Sequence, residues 1–387
     1  MGLPDEAQQL SLSLAGGVAA VPAADWDALV DDDDPFLEHA FLAALERSGS
    51  VGEGTGWEPR FLFVYRGERL VGAVPLYLKT DSMGEFIWDF AWAEGARLAG
   101  IPYFPKLVAA IPFTPATSHR LLVHPAETRS AVVPLLRQGL LQAADQLEAS
   151  SVHVLFCRPE EVDELAPADF LPRASFQFHW SNRRPIPYRD FDDFLSGFHA
   201  RHRKQVRHER KVAASYGLRV VVARGTDLDE RAWQALDSFY RTTVYAYGSI
   251  DSLTPEFFRR LRQTHAQRLL AVLAYRGDEP VAATVNFVRG SRLCGRYWGA
   301  SVQLPMLHFE LCFYRLIDYA IAHGLQRFEG GAGGEQKLKR GLLPRPTFSA
   351  HFVRHPGLAR AIAGYVKREA RAIDVDMRMH LAGSPFK

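Results

Sequence analysis

The stretch that decides the fold is Arg292 to Ala350, RLCGRYWGASVQLPMLHFELCFYRLIDYAIAHGLQRFEGGAGGEQKLKRGLLPRPTFSA. Leu293 to Trp298 is a short β-prone run. After Pro305, apolar residues recur at Met306, Phe309, Phe313, Leu316, Ile317, Ala320 and Ile321, the three- and four-residue steps of an amphipathic helix that should stop at Gly324. A second apolar run, Leu325 to Phe328, empties into Glu329-Gly330-Gly331-Ala332-Gly333-Gly334-Glu335, with Lys337, Lys339 and Arg340 directly behind it. Strand, helix, strand and a glycine-rich loop bearing carboxylates and cations form a natural seat for chemistry.

Working outward, the chain proves to repeat itself. Phe61 to Tyr77 reads as two β-prone runs around a glycine turn, and Val272 to Phe287 reads the same way. Both place Tyr-Arg-Gly-acid and then Val-Gly/Ala-Ala at matching offsets: Tyr65-Arg66-Gly67-Glu68 and Tyr275-Arg276-Gly277-Asp278. Each hairpin follows a pair of helices with a tryptophan early in it, Trp26 or Trp233, and precedes strand, long helix and strand. In the first half these are Leu121 to Val123, Thr128 to Leu147 and Val152 to Phe156. An α-α-β-β-β-α-β order occurring twice predicts two similar α/β domains, at 20–180 and 188–387. A proline-rich connection, Arg158 to Tyr188, joins them, and the acidic run Asp31 to Asp34 reads as a solvated turn.

Composition narrows the function. With 387 residues, 47% hydrophobic and 12% aromatic, the chain can bury two cores. A formal net charge of +2 excludes a uniformly basic nucleic-acid binder, so anion contacts must come from local clusters. Cys157, Cys294 and Cys312 sit in apolar segments without a C-x-x-C pair and read as buried reduced thiols. The absence of an export signal and of an apolar span long enough for a membrane points to the cytoplasm. Nucleophile-elbow, P-loop, dinucleotide and His-Glu-x-x-His motifs are all missing, and the histidines show no metal spacing, so no metal is expected.

The start of the second half carries a further signature. Phe191, Phe194, Leu195, Phe198 and Val206 form a buried helical stripe, while Arg203, Arg207 and Arg210 line another face, a row suited to phosphate or to a solvated surface. This helix, its Arg-x-x-x-Arg and the following Tyr216-Gly217-Leu218 strand entry resemble the Fem-type peptidoglycan aminoacyltransferases. The run Ala320 to Leu325 and the pair Gly330-Gly331 add to the resemblance. More narrowly, several blocks look like a bacterial FemAB-like family of N-acetyltransferases, also described as peptidoglycan biosynthesis or recognition proteins. They are Met83 to Phe86, Tyr103 to Leu107, Pro112 to Pro115, Gly295 to Gly299, Leu307 to Cys312 and Lys339 to Gly341.

The resemblance implies tandem GNAT-like domains, each a mixed, mostly antiparallel sheet flanked by helices. It also implies N-acyl transfer onto an amine of a small anionic or cell-envelope precursor. Acyl-CoA or aminoacyl-tRNA would be the donor substrate, with no tightly bound cofactor, DNA or integral membrane partner. The Arg/Gln-x-x-Gly-x-Gly/Ala pyrophosphate loop of ordinary GNAT enzymes is missing at His124 to Glu127 and at Gly299 to Pro305, which argues against conventional CoA binding. A non-catalytic recognition protein and a tRNA-dependent aminoacyltransferase remain as alternatives.

Acyl transfer needs a neutral nucleophile, a donor for the tetrahedral oxyanion and a site for the carrier. His308 and Glu310 are the expected catalytic pair. Glu310, on an otherwise apolar helix, should meet a cation, with Arg296 or Lys337 the candidates. Lys337, Lys339 and Arg340 are expected to bind anionic groups, as are Arg203 and Arg207. Lys106, enclosed by Tyr103 and Phe104, is expected to line a cleft, and Trp298 and Arg296 a substrate wall.

Overall fold

A computed structural model describes residues 9–246 and 251–387. The chain divides into two compact units, one of residues 1–31, 36–175 and 346–374, the other of 32–35, 176–345 and 375–387.

The first unit contains strands β1 (Leu10–Ala15), β2 (Glu58–Pro59), β3 (Phe61–Arg66), β4 (Arg69–Val74), β5 (Leu76–Lys79), β6 (Lys106–Ala109), β7 (Leu122–Val123) and β8 (Ser151–Cys157). β1, β3, β4 and β7 form one antiparallel sheet; β2, β5, β6 and β8 form another, in which β6 and β8 run parallel. The helix Arg129–Gln146 covers them with Val132, Val133, Leu136 and Leu140, packed against Leu62, Val64 and Val154.

The second unit is built on the residues from 176 onward of β9 (Leu171–Ser181) and on β10 (Arg219–Arg224), β11 (Leu269–Arg276), β12 (Glu279–Arg289), β13 (Arg292–Ala300) and β14 (Arg327–Glu329). Their order is β10-β11-β12-β13-β14-β9, antiparallel except for the β13–β14 pair. The apolar stripe anticipated after Pro305 is helical over Leu307–Ala322, and Leu311, Phe313, Leu316 and Ile317 bury it against the sheet.

The duplication shows in backbone detail. In each hairpin a two-residue turn starts with a left-handed glycine, Gly67 at φ 60° and Gly277 at φ 61°, as a turn of this length requires. One residue further along, each second strand carries a bulge at the same place. Tyr65 faces Leu70 and Val64 faces Gly72, so Val71 is the extra residue; Tyr275 faces Pro280 and Ala274 faces Ala282, so Val281 is.

The predicted boundary at 188 needs correction. The last strand, β15 (Leu343–Val353), pairs antiparallel with β8, Phe348 facing Cys157 and Val353 facing Ser151. The helix behind it, Pro356–Ala382, buries Leu358, Ile362 and Val366 with Trp92 and Tyr103. Residues 346–374 therefore complete the first unit, while residues 176–181 from the first half of the repeat belong to the second, where His179 to Ser181 pair with β14. Asp31 to Asp34 is also not a simple solvated turn, because Asp34 is fully buried in the second unit, near Arg292.

Candidate functional site

The site follows from how β13 and β14 part company. They pair only from Arg292 to Cys294 and from Arg327 to Glu329. Beyond those residues the parallel strands diverge, and a cavity of about 480 Å3 opens in the gap. A β-bulge lies at its edge: Gly295 faces Asn286 and Tyr297 faces Val285, so Arg296 has no residue opposite it. An extra residue of this kind kinks a strand and redirects its side chain, and Arg296, Tyr297 and Trp298 all line the cavity. The other wall is the loop Gly330 to Gly334, where Gly331, Gly333 and Gly334 adopt left-handed φ of 74, 63 and 86°. Close approach explains Gly330 as well, since a Cβ there would stand 2.8 Å from Leu342.

Lys337 enters from the short helix Glu335–Arg340 behind the loop and donates to the carbonyls of Gly331 and Ala332 at 2.9 and 3.1 Å. An ammonium has three N–H donors, so one remains toward the cavity. Burial lowers the Lys337 pKa to about 8, against a small opposing pull from Cys312. His308, in the first turn of the long helix, stands edge-on to Trp298 with ring centroids 5.1 Å apart. Burial, then the charges of Arg340 and Lys337, bring its pKa down to about 4, so its imidazole is neutral across the physiological range. Trp298 and His308 also line a neighbouring cavity of about 460 Å3, whose other walls include Thr243, Leu304 and Leu307. Two recesses thus share one wall.

The structure places His308, Arg296, Trp298 and Lys337 on one cavity. Glu310 is not with them. Its partners are Arg210 at 3.2 Å and Arg315 at 2.7 Å, in place of Arg296 or Lys337, and it is absent from the cavity lining. The helix opens into a π-helical turn over Glu310–Tyr314, which turns successive side chains off the regular helical positions. Arg340 is likewise committed elsewhere: it is buried, chelates Glu209 at 2.9 and 3.1 Å, and stacks on Phe309. Tyr314 donates to the same Glu209, so this knot fastens the helix of Lys337 to that of His308. Lys339 is exposed outside the cavity.

The arginines expected to form a row on Ala200–Ala214 go to separate partners. Arg203 donates to the Phe198 carbonyl, Arg207 pairs with Asp192 at 3.0 Å, and Arg210 is held by Glu310 and Asp318. Lys106 and Tyr103 belong to the first unit's interior, not to a cleft. The Lys106 ammonium is fully buried against Glu85, Asp89 and Ser82, and Tyr103 donates to Asp89 at 2.6 Å.

Thr284, Asn286, Cys312 and Gln336 also line the cavity without having been anticipated. Thr284 and Asn286 lie two apart on an apolar strand, hence on one face, and that alternation was the available signal. In the first unit Arg120 is fully buried beside β8, bonding the carbonyls of Leu155 and Ala116 at 2.8 and 2.7 Å, while Glu161 accepts from the backbone N–H of Arg120 and Leu121.

Comparison with known proteins places these features. A family profile described as FemAB-like, peptidoglycan biosynthesis/recognition, matches residues 17–387. Among solved structures, FemX is similar with a TM-score of 0.53 at 12% identity, over 89% of this chain and 98% of that one. L-PGS from Bacillus licheniformis is similar with a TM-score of 0.50 at 12% identity, over 84% and 95%. A search of curated protein sequences finds no match. The fold is that of FemX.

Proposed function

Since the chain belongs to the FemAB-like family, we propose that it is an acyltransferase that moves an acyl or aminoacyl group onto an amine of an anionic cell-envelope precursor. The observation that carries this reading is the pair of recesses meeting at Trp298 and His308 beside the Lys337 ammonium. A two-substrate transfer needs donor and acceptor held on either side of one reacting point.

In this reading the acceptor amine attacks the acyl carbonyl and Lys337 donates its third N–H to the oxygen that becomes negative; the intermediate then collapses by breaking the bond to the carrier, which leaves as the CoA thiol or the tRNA hydroxyl and takes up the proton the amine loses. The glycine loop fixes the lysine through its other two donors. His308, with its pKa near 4, is too weak a base to strip an ammonium, so it accepts a hydrogen bond from an amine that arrives neutral. Arg296 and Trp298 hold an anionic group and a flat apolar one. Glu310 and Arg340 position the helices and touch no substrate. The donor is acyl-CoA or aminoacyl-tRNA.

The test is turnover of purified protein with each donor class and a panel of amine-bearing envelope precursors. Lys337→Met should lower kcat by about 100-fold or more while leaving the melting temperature near that of the wild type. Failure of every donor to bind or react would remove the catalytic reading and leave the recognition role that the family description also names.

A further inference from the structure

A second cavity of the second unit, about 470 Å3, sits at the other end of the same two strands, where β13 and β14 begin with Arg292 and Arg327. Four guanidiniums line it, those of Arg184, Arg292, Arg327 and Arg345, against the single carboxylate of Asp33. Two of the four are balanced. Arg292 meets Glu329 at 2.7 Å and Asp34 at 3.9 Å, and Arg327 meets Glu329 at 3.0 Å and Asp33 at 3.4 Å.

The other two contact neutral groups. Arg184 donates to the Gln326 side-chain oxygen at 3.0 Å and Arg345 to the Ser181 hydroxyl at 3.4 Å. Both are exposed, so neither is fixed by packing. At the base of the cavity Arg292 is fully buried; among the described residues its Nε has no hydrogen-bond partner, and its Nη1 has only the 3.9 Å contact to Asp34. Buried donors are almost always paired, so an idle Nε in this wall suits an acceptor that enters from outside.

We propose that this cavity binds a phosphoryl group, with Arg184 and Arg345 clamping it at the mouth and Arg292 meeting it at the base. The two unbalanced guanidiniums match the double charge of a phosphoryl group better than the single charge of a carboxylate. Planar N–H forks also suit its several oxygens. The site is distinct from the cavity of Lys337 and does not depend on the transferase reading.

Calorimetric titration at low salt tests it, with pyrophosphate, inorganic phosphate, acetate and a short RNA oligonucleotide as probes. Wild-type protein should bind pyrophosphate and phosphate but not acetate, and R184Q/R345Q should lose affinity by about 100-fold or more. These two side chains are exposed, so the variant should melt with the wild type, and Lys337→Met should bind the probes unchanged. Binding of the oligonucleotide alone, lost in the double variant and steeply salt-dependent, would keep the site and assign its phosphoryl group to a polymer backbone. Equal affinity in wild type and double variant, tight binding of acetate, or no binding of any probe would overturn the proposal.

Discussion

A lysine with its pKa near 8 is a sensitive reporter of its own role. If the ammonium stabilises the oxyanion, kcat should be flat below about pH 7 and fall as pH rises through 8, where the charge is lost. Lys337→Arg, which stays charged, should move that falling limb beyond the accessible range. A profile that climbs through pH 8 would instead assign the work to the free amine. Glu329 makes the corresponding case for stability. Burial acts to raise its pKa, but Arg292, His179 and Arg327 outweigh burial and hold it at about 2. The folded value lies below the unfolded one of about 4.3. Its contribution is therefore complete above pH 5 and lost as pH falls toward 2, a decline that melting curves would resolve. In the first unit, burial raises Glu85 to about 7 despite Lys106, whereas Asp89 is held at about 2, its own burial being outweighed by the Lys106 charge. Asp89→Asn should cost about 3 kcal/mol or more because it strips the buried ammonium of its anion, and Glu85→Gln should cost much less below pH 7. His308, Arg296, Trp298 and Lys337 were legible in the sequence because they flank one strand–helix–strand unit. The partners of Glu310 were not, since Arg210 comes from a helix 100 residues earlier that periodicity cannot dock.

Element by element, the hairpins and the helix after Pro305 were readable because the alternation of apolar residues and the glycine turns are local. What escaped was irregularity. Neither the bulge that singles out Arg296 nor the π-turn that begins at Glu310 has a mark in the apolar pattern, because each is a single extra residue taken up within a hairpin or a helical turn. Gly299 shows how tightly this part is built. A Cβ there would stand 1.9 Å from the carbonyl oxygen of Phe239, on the helix Glu230–Ala246, and that oxygen belongs to backbone. Gly299→Ala should destabilise the protein by at least about 2 kcal/mol, and by prising the helix from β13 it should also disturb Trp298, whose carbonyl accepts from Thr243 of the same helix. Denaturant unfolding measures the first effect and tryptophan fluorescence the second.

Across the whole molecule, duplication was visible and the boundary was not. Repeated order reveals that two units exist, yet says nothing of which copy a late strand will pair with. Leu343 to Val353 is apolar enough to serve either sheet, and the structure pairs it in register with Ser151 to Cys157. A fragment ending at residue 345 would leave β8 without that partner and Trp92 without Leu358 and Ile362. We expect it to be far more protease-sensitive within residues 36–175 than the full chain; limited digestion with mass spectrometry reads this directly, and equal resistance would count against the assignment of 346–374 to the first unit. The late arrival of that segment reaches into biosynthesis. Emerging from the ribosome, the earlier unit must wait with an unpaired strand edge until residues 346–353 have been translated, so a chaperone that shields such edges during elongation should raise the yield of native protein more than one added after release.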